Sequence, residues 1–498
     1  MIRESNKAAE AGSRPTEVEV GGLDGFPVIL TSVDLAKLAS LLAEPVLRPG
    51  DSGWGSAVLL WNGLVTKEPA LVVQPTSARE VSAVVMFAAE HRLQISTKGG
   101  GHNIAGTAIA DRGLMLDMSR MNSVEVDPAA RLAQVGPGCL LQDVDRATQE
   151  HGLATVLGFI SEVGVAGLTL GGGLGYLTRR FGWTVDNLED VEIVTSDGLV
   201  RTASRKENPD LFWGVRGAGA NLGVVTRFAL RLHQVGPTVY GGLIAWPFER
   251  TDEILGTYRT ITSRAPRELA VWLILMTAPA EPFIPVRWQG KKLCAMAVCY
   301  SGELQNVPEV MASIREIGDP AVDLLAEQPY TQVQSYLDDS EPKGLHYYWK
   351  TEYADGLSDG LLSTIRELFD GCPIEGAELG ILHLAGALNE HPEDDGAVGN
   401  RNARYVIGSN GMWDPGDPAA NTYRTWIRES WERQRPFTAG RSYINFQTAD
   451  EGQQQVRAAY GTNYERLVQV KTKYDPDNLF RTNRNIAPSV PASESRGG

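Results

Sequence analysis

Three glycine clusters constrain this chain more than any other feature of its sequence. The first is Gly99-Gly100-Gly101-His102-Asn103. The second, GFISEVGVAGLTLGGGLGYL, runs from Gly158 to Leu177, and the third, WGVRGAGANLGVVT, from Trp213 to Thr226. Glycine admits positive φ and lets the backbone come close to a ligand, so successive N–H groups can face a phosphate. Each cluster follows a strand signal, and together they predict an extended cofactor that carries phosphates. The dinucleotide fingerprint needs its third glycine three residues after the second. Counted from Gly99 that position is Ile104, and from Gly171 it is Tyr176, which disfavours a Rossmann site for NAD. The absence of a G-x-x-x-x-G-K-[ST] motif disfavours a kinase or an ATPase in the same way.

At 498 residues the chain exceeds one hydrophobic core, and two or three domains are expected. A formal net charge of −15 supplies no basic face, so no nucleic-acid partner is expected. The four cysteines, Cys139, Cys294, Cys299 and Cys372, are too scattered for a disulfide framework or a zinc site, and no metal is expected. The opening residues lack the apolar run of a secretory signal, and no stretch of 18 charge-free apolar residues occurs. The expectation is a soluble protein of the reduced cytoplasm that makes no use of a membrane.

The residues before FPVIL read as mixed and polar, partly disordered. ALVVQP reads as a strand. Ser77 and Glu80 read as a capping box opening an amphipathic helix, and LQIST is a strand running into the first glycines. LMLDM, SVEVD and LAQVG are further short strands, and LLQDVDRATQEHG is a helix closed by Gly152. VEIVTSDGLVRTAS is a hairpin about Asp-Gly, and GVVTRFALRLHQV is another strand region. From about Pro237 the texture changes to alternating helices and strands as far as Arg441. Tight signals then return, and a disordered tail follows YDPDNLFRTNRNI. His102, mounted on the first cluster, could be a phosphate donor, an acid–base group or a covalent tether, and residue chemistry leaves these open.

KGGGHN, GVAGLTLGGGLGYLTRRFGWTVDNL, ENPDLFWGVRGAGANLGVVT and YDPDNLFRTNRNI together resemble the berberine bridge enzyme-like FAD-linked oxidases of the vanillyl-alcohol oxidase superfamily. The likeness covers about 68–235 and 443–486. It implies an α+β fold with a two-lobed FAD-binding domain over 30–236. A substrate domain of antiparallel sheet covered by helices would span 237–440, and a C-terminal segment, 441–488, would return to the first domain. The residues implied to surround FAD are Lys98, Gly99, Gly100, Gly101, His102, Asn103 and Gly106 from the first cluster. The second contributes Gly158, Ser161, Val163, Gly164, Gly167, Leu168, Gly171, Gly172, Gly175 and Tyr176. Asn221, Gly223, Val224 and Val225 come from the third, and Asn445, Asn483 and Asn485 from the C-terminal segment.

In that family the histidine matching His102 bonds the flavin 8α-methyl group. The second, cysteinyl link of bicovalent members falls at Ile160 here, so a single bond is implied. Val163 falls where a small gatekeeper is associated with oxygen access, which implies an oxidase releasing hydrogen peroxide. Tyr443 matches the family's proton acceptor, a role that requires a lowered phenol pKa or concerted transfer. A second polar group is expected from the middle region: His383 is preferred, with Glu378, Tyr347 and Tyr353 as alternatives. Trp272, Trp288, Trp349 and Trp413 could line a pocket. Tyr460 and Tyr464 read as packing residues and EDDG, 393–396, as a solvated loop. The implied activity removes a hydride from an alcohol- or amine-bearing carbon of a small molecule, with O2 as partner. A dehydrogenase with another acceptor, or a flavin-binding protein without turnover, are the alternatives.

Overall fold

The computed structural model describes residues 16–489. The residues before FPVIL are ordered from Val18. The strand Val18–Gly21 pairs antiparallel with Pro27–Leu30, against the expectation of disorder there. Residues 1–15 and 490–498, including most of the expected tail, lie outside the described part.

Two small sheets carry the glycine clusters. In the first, Leu71–Val73, Leu114–Asp117 and Ile95–Lys98 lie parallel in that spatial order, and Lys98 delivers the chain into Gly99. Helix Ala78–Glu90 covers it through Val81, Val84, Val85 and Ala88, the spacing of one helix face. Only half of the capping box forms. Ser77 Oγ accepts from Glu80 N, but the Glu80 carboxylate accepts from Thr76 N and Ala43 N, which tie down the preceding loop. The second sheet is antiparallel, in the order Val200–Ser204, Leu188–Val194, Val224–Arg231, Leu132–Val135 and Val124–Asp127. Its first two strands are the hairpin about Asp197-Gly198, where Gly198 has φ +75°.

The middle region builds a large antiparallel sheet. Its long strands are, in spatial order, Thr238–Pro247, Lys292–Tyr300, Leu269–Thr277, Ala377–His383, Tyr405–Trp413 and His346–Ala354. Alternation sorts their side chains. Val271, Leu273, Leu275, Leu379, Ile381 and Ile407 pack against helices Thr251–Arg264 and Asp359–Asp370, leaving the alternate residues on the opposite face. That opposite face floors the candidate site.

The C-terminal segment closes the structure. Lys471, fully buried on helix Tyr464–Tyr474, donates to Asn221 O, Phe480 O and Asp475 Oδ2 at 2.8, 2.9 and 2.6 Å. Asp475 also accepts from Leu479 N and Phe480 N, so the YDPDNLF motif is a knot fastening the last turn to the third glycine cluster.

Candidate active site

The glycines meet one another before they meet any ligand. A Cβ on Gly164 would lie 2.2 Å from Gly100 N, and one on Gly100 would lie 2.4 Å from Gly164 N, so the first two clusters pack backbone against backbone. Gly164→Ala therefore has to part the two loops. The expected cost is about 1–3 kcal/mol, read as a lowered Tm together with weakened flavin uptake; a wild-type melting curve would show that the loops can move apart freely. Beside this contact the N–H groups of Gly100 and Gly101 find no acceptor among the described residues.

A cavity of about 2400 Å³, counting its open mouth, runs past all three clusters to the floor of the large sheet. Gly99, Gly100, Gly101, His102 and Asn103 line it, as do Gly158, Val163, Gly164, Gly167, Leu168 and Gly171. Asn221, Gly223, Val224, Val225, Tyr443, Asn445 and Asn483 complete the expected set that reaches it, and Ile160 lies there too.

Seven expected cofactor contacts stand off the wall, six of them for a visible reason. Lys98 is buried in an ion pair with Asp117, 3.3 Å away. Ser161 gives both its N–H and its hydroxyl to the Asp338 carboxylate. Gly106 packs on Val65, and Gly172 faces Val398 and the Tyr443 ring. Gly175 presses on Leu157 O, Tyr176 stacks on Trp272 at 4.5 Å, and Asn485 is not among the lining residues.

His102 stacks on Trp61, ring centroids 4.3 Å apart, and Trp61 stacks in turn on Tyr347 at 3.8 Å. Burial pushes the His102 imidazole down to about 4, so at neutral pH it is uncharged with a free lone pair. Tyr443 Oη accepts from Gly173 N at 2.7 Å and from Asn445 Nδ2 at 2.9 Å. Burial nevertheless raises this phenol above its ordinary value, so the lowered pKa that a base role requires is not met here. With two donors already on its oxygen, the Tyr443 proton is free to be donated.

His383 does not reach the cavity. It follows Leu382, which does, and strand alternation turns it to the helix-covered face. There its Nε2 lies 2.9 Å from Arg179 Nη1, and burial with that guanidinium holds the ring far below its usual range. The same alternation brings Glu378 in. It faces the cavity with Gly380 and Leu382, across from Asn410, Gly408 and Val406. Trp349 and Thr351 extend these rows on the next strand. Trp272 lines the floor, whereas Trp288 and Trp413 do not; Tyr347 and Tyr353 also stay off it. Glu341 enters from the turn after Asp338–Ser340. Burial and the neighbouring Glu378 push its carboxyl up to about 8, and burial alone pushes Glu378 up to about 7.

The EDDG segment is a structural knot, not a solvated loop. Glu393 accepts from Asn400 N and Arg401 N, and Trp213 Nε1 donates to Asp394 O. Asp395 joins Arg205 and Arg216, and Asp186, close to His391, takes a bidentate pair from Arg401 at 3.0 and 2.7 Å. Arg401 and Asp186 are both buried, so Arg401→Met strands a carboxylate. The expected loss is about 3–5 kcal/mol in a denaturant titration; an unchanged midpoint would show that water replaces the guanidinium.

An FAD-binding-domain family model matches residues 69–204, and a "berberine and berberine like" model matches 442–487. An FAD-linked oxidoreductase of Dictyostelium discoideum is 31% identical over 433 residues, 86% of this chain and 91% of the relative. The chain belongs to the berberine bridge enzyme-like FAD-linked oxidoreductases. Within this family, (R)-6-hydroxynicotine oxidase of Paenarthrobacter nicotinovorans is 29% identical over 472 residues, covering 91% of this chain and 99% of that one. The crystal structure of 6-hydroxy-D-nicotine oxidase from Arthrobacter nicotinovorans superposes with a TM-score of 0.79 at 26% identity, covering 90% of this chain and 98% of the other. A Physcomitrella patens family member shares the fold at a TM-score of 0.81 and 24% identity. The fold is therefore the vanillyl-alcohol oxidase type, and the cofactor is FAD. The unpaired glycine-loop N–H groups fit a pyrophosphate. The Asn483 side-chain oxygen, buried without a partner on the same wall, fits a ligand that brings donors.

Proposed function

We propose that this chain is a FAD-dependent oxidase whose flavin is bonded through His102 alone and which acts on an alcohol- or amine-bearing carbon of a small molecule, with O2 as the acceptor and H2O2 as product. The observation that carries this reading is a single cavity. It joins the glycine loops and a neutral His102 at one end to a sheet floor bearing an ionisable carboxyl at the other. When bound, FAD supplies the hydride acceptor. The chain's residues do the rest.

Gly100 and Gly101 offer N–H groups to the pyrophosphate, and Trp61 holds the imidazole plane for the tether. Ile160 offers no thiol for a second bond. Val163 keeps its side of the cavity small. Glu378, near neutral in pKa, is better matched to take the substrate's proton than Tyr443, whose hydroxyl is placed to donate. Oxygen uptake with peroxide release on a panel of aromatic and aliphatic amines, alcohols and aldoses tests the reading. Substrate-dependent bleaching that air fails to reverse would replace the oxidase with a dehydrogenase.

A further inference from the structure

Most buried carboxylates of this molecule have a cation beside them; Asp145, which accepts from Gln334 Nε2 instead, does not. Asp186 has Arg401, Asp475 has Lys471, Asp117 has Lys98 and Glu451 has Lys350. The cavity breaks that pattern. Neither the Glu341 nor the Glu378 carboxyl group makes a hydrogen bond or an ion pair with any described residue, and the charge that acts on Glu341 is that of Glu378, which repels it. Both residues are half-buried on the cavity wall, and an ionised carboxylate partly withdrawn from water without a partner is costly, the more so with a second close by.

The arrangement is nonetheless held firmly. The turn carrying Glu341 is pinned to the second glycine cluster by Asp338, which accepts from Ser161 N and Oγ at 2.7 and 2.5 Å, and by Lys343 with Glu162 at 2.8 Å. From the other side Trp61 Nε1 donates to Glu341 O at 2.9 Å. Glu378 is fixed by its register on the central strands opposite Asn410 and Met276.

The surrounding wall is rich in acceptors. Thr351, 8% exposed, lines the cavity with its hydroxyl unpartnered, and the buried side-chain oxygen of Asn410 beside it is unpartnered too. Arg484 is the permanent cation of the lining, and it is already committed to Gln447 O, Thr448 O and Glu451 O. Gly380 and Gly408 leave the floor between these groups open; a Cβ on Gly380 would meet nothing nearer than Leu382 Cδ1 at 3.7 Å. Trp349 and Trp272 bound that opening, and an indole face favours a cation. A ligand that completes this wall brings N–H donors, a positive charge and a flat body.

We propose that Glu341 and Glu378, with Asn410 and Thr351, form an ammonium-binding subsite, so that the substrate is a cationic amine with an aromatic or otherwise flat frame. The inference rests on the oxidase reading and names the substrate class of the same site. It is tested without turnover, on the flavin-loaded chain, by titrating benzamidine and its neutral isostere benzamide against the flavin absorbance band. Benzamidine is expected to bind about 10-fold tighter or more. Glu341→Gln and Glu378→Gln each remove that preference, with flavin content and benzamide affinity held to about 2-fold. Benzamide binding as tightly as benzamidine in the wild-type chain overturns the subsite, as does a preference that survives in both variants. A chain that takes up no flavin overturns the reading beneath; a flavin-loaded chain without cation preference overturns this inference alone.

Discussion

In His102→Ala protein, acid is expected to release the flavin into the supernatant, whereas in the wild-type chain the flavin is expected to stay with the pellet. The argument starts from burial. The imidazole is pushed down to about 4, so at physiological pH nearly every molecule presents a neutral ring. A neutral imidazole is the form able to make a new bond from nitrogen. Stacking on Trp61 fixes the ring plane, and Gly101, with φ +72°, turns the chain so that the ring enters the cavity. Alanine keeps the glycine loop and its free N–H groups, so FAD is still taken up, but nothing remains to hold it through denaturation. The expected change is from full to background in-gel flavin fluorescence. Fluorescence retained by the variant would mean that another residue makes the bond.

Glu378→Gln is expected to lower kcat by about 10²- to 10⁴-fold, the range for loss of a positioned general base. It should also remove the acid limb of the pH profile. The sign follows from the shift. Burial raises Glu378 to about 7, so the carboxylate that accepts a proton is present above that pH and lost below it. Wild-type kcat/KM should therefore rise through the neutral range. Glu341, raised to about 8 by burial and by Glu378, couples to it, so the rise spreads over two steps belonging to the pair. Initial rates from pH 5 to 9 at saturating oxygen settle the matter. A flat wild-type profile, or a glutamine variant with wild-type rate, would remove Glu378 from the chemistry.

Much of the cofactor end was legible from sequence because its physics is local. A glycine cluster announces a tight backbone approach wherever it falls. Its target was harder to read, since Gly100 and Gly164 serve each other as directly as they serve a ligand. The substrate end was less legible. Glu378 and His383 sit five residues apart in one short strand, and both are chemically plausible. Only the parity of that strand against its neighbours separates them, and parity needs the register. A usable signal did exist: Glu378 shares its parity with Gly380 and Leu382, whereas His383 shares it with Leu379 and Ile381, which fill the core beneath the helices. Glu341 could not have been found this way. It sits in a turn outside regular structure, held by Ser161 and Trp61 from regions distant in sequence.

The central claim is that FAD is attached to this chain through a single bond at His102. Intact-protein mass spectrometry of the denatured wild-type chain tests it most directly. The account predicts the mass of the polypeptide plus one FAD, with the flavin on the peptide containing His102 after digestion. A denatured chain at the bare polypeptide mass, with its flavin free in solution, would contradict it.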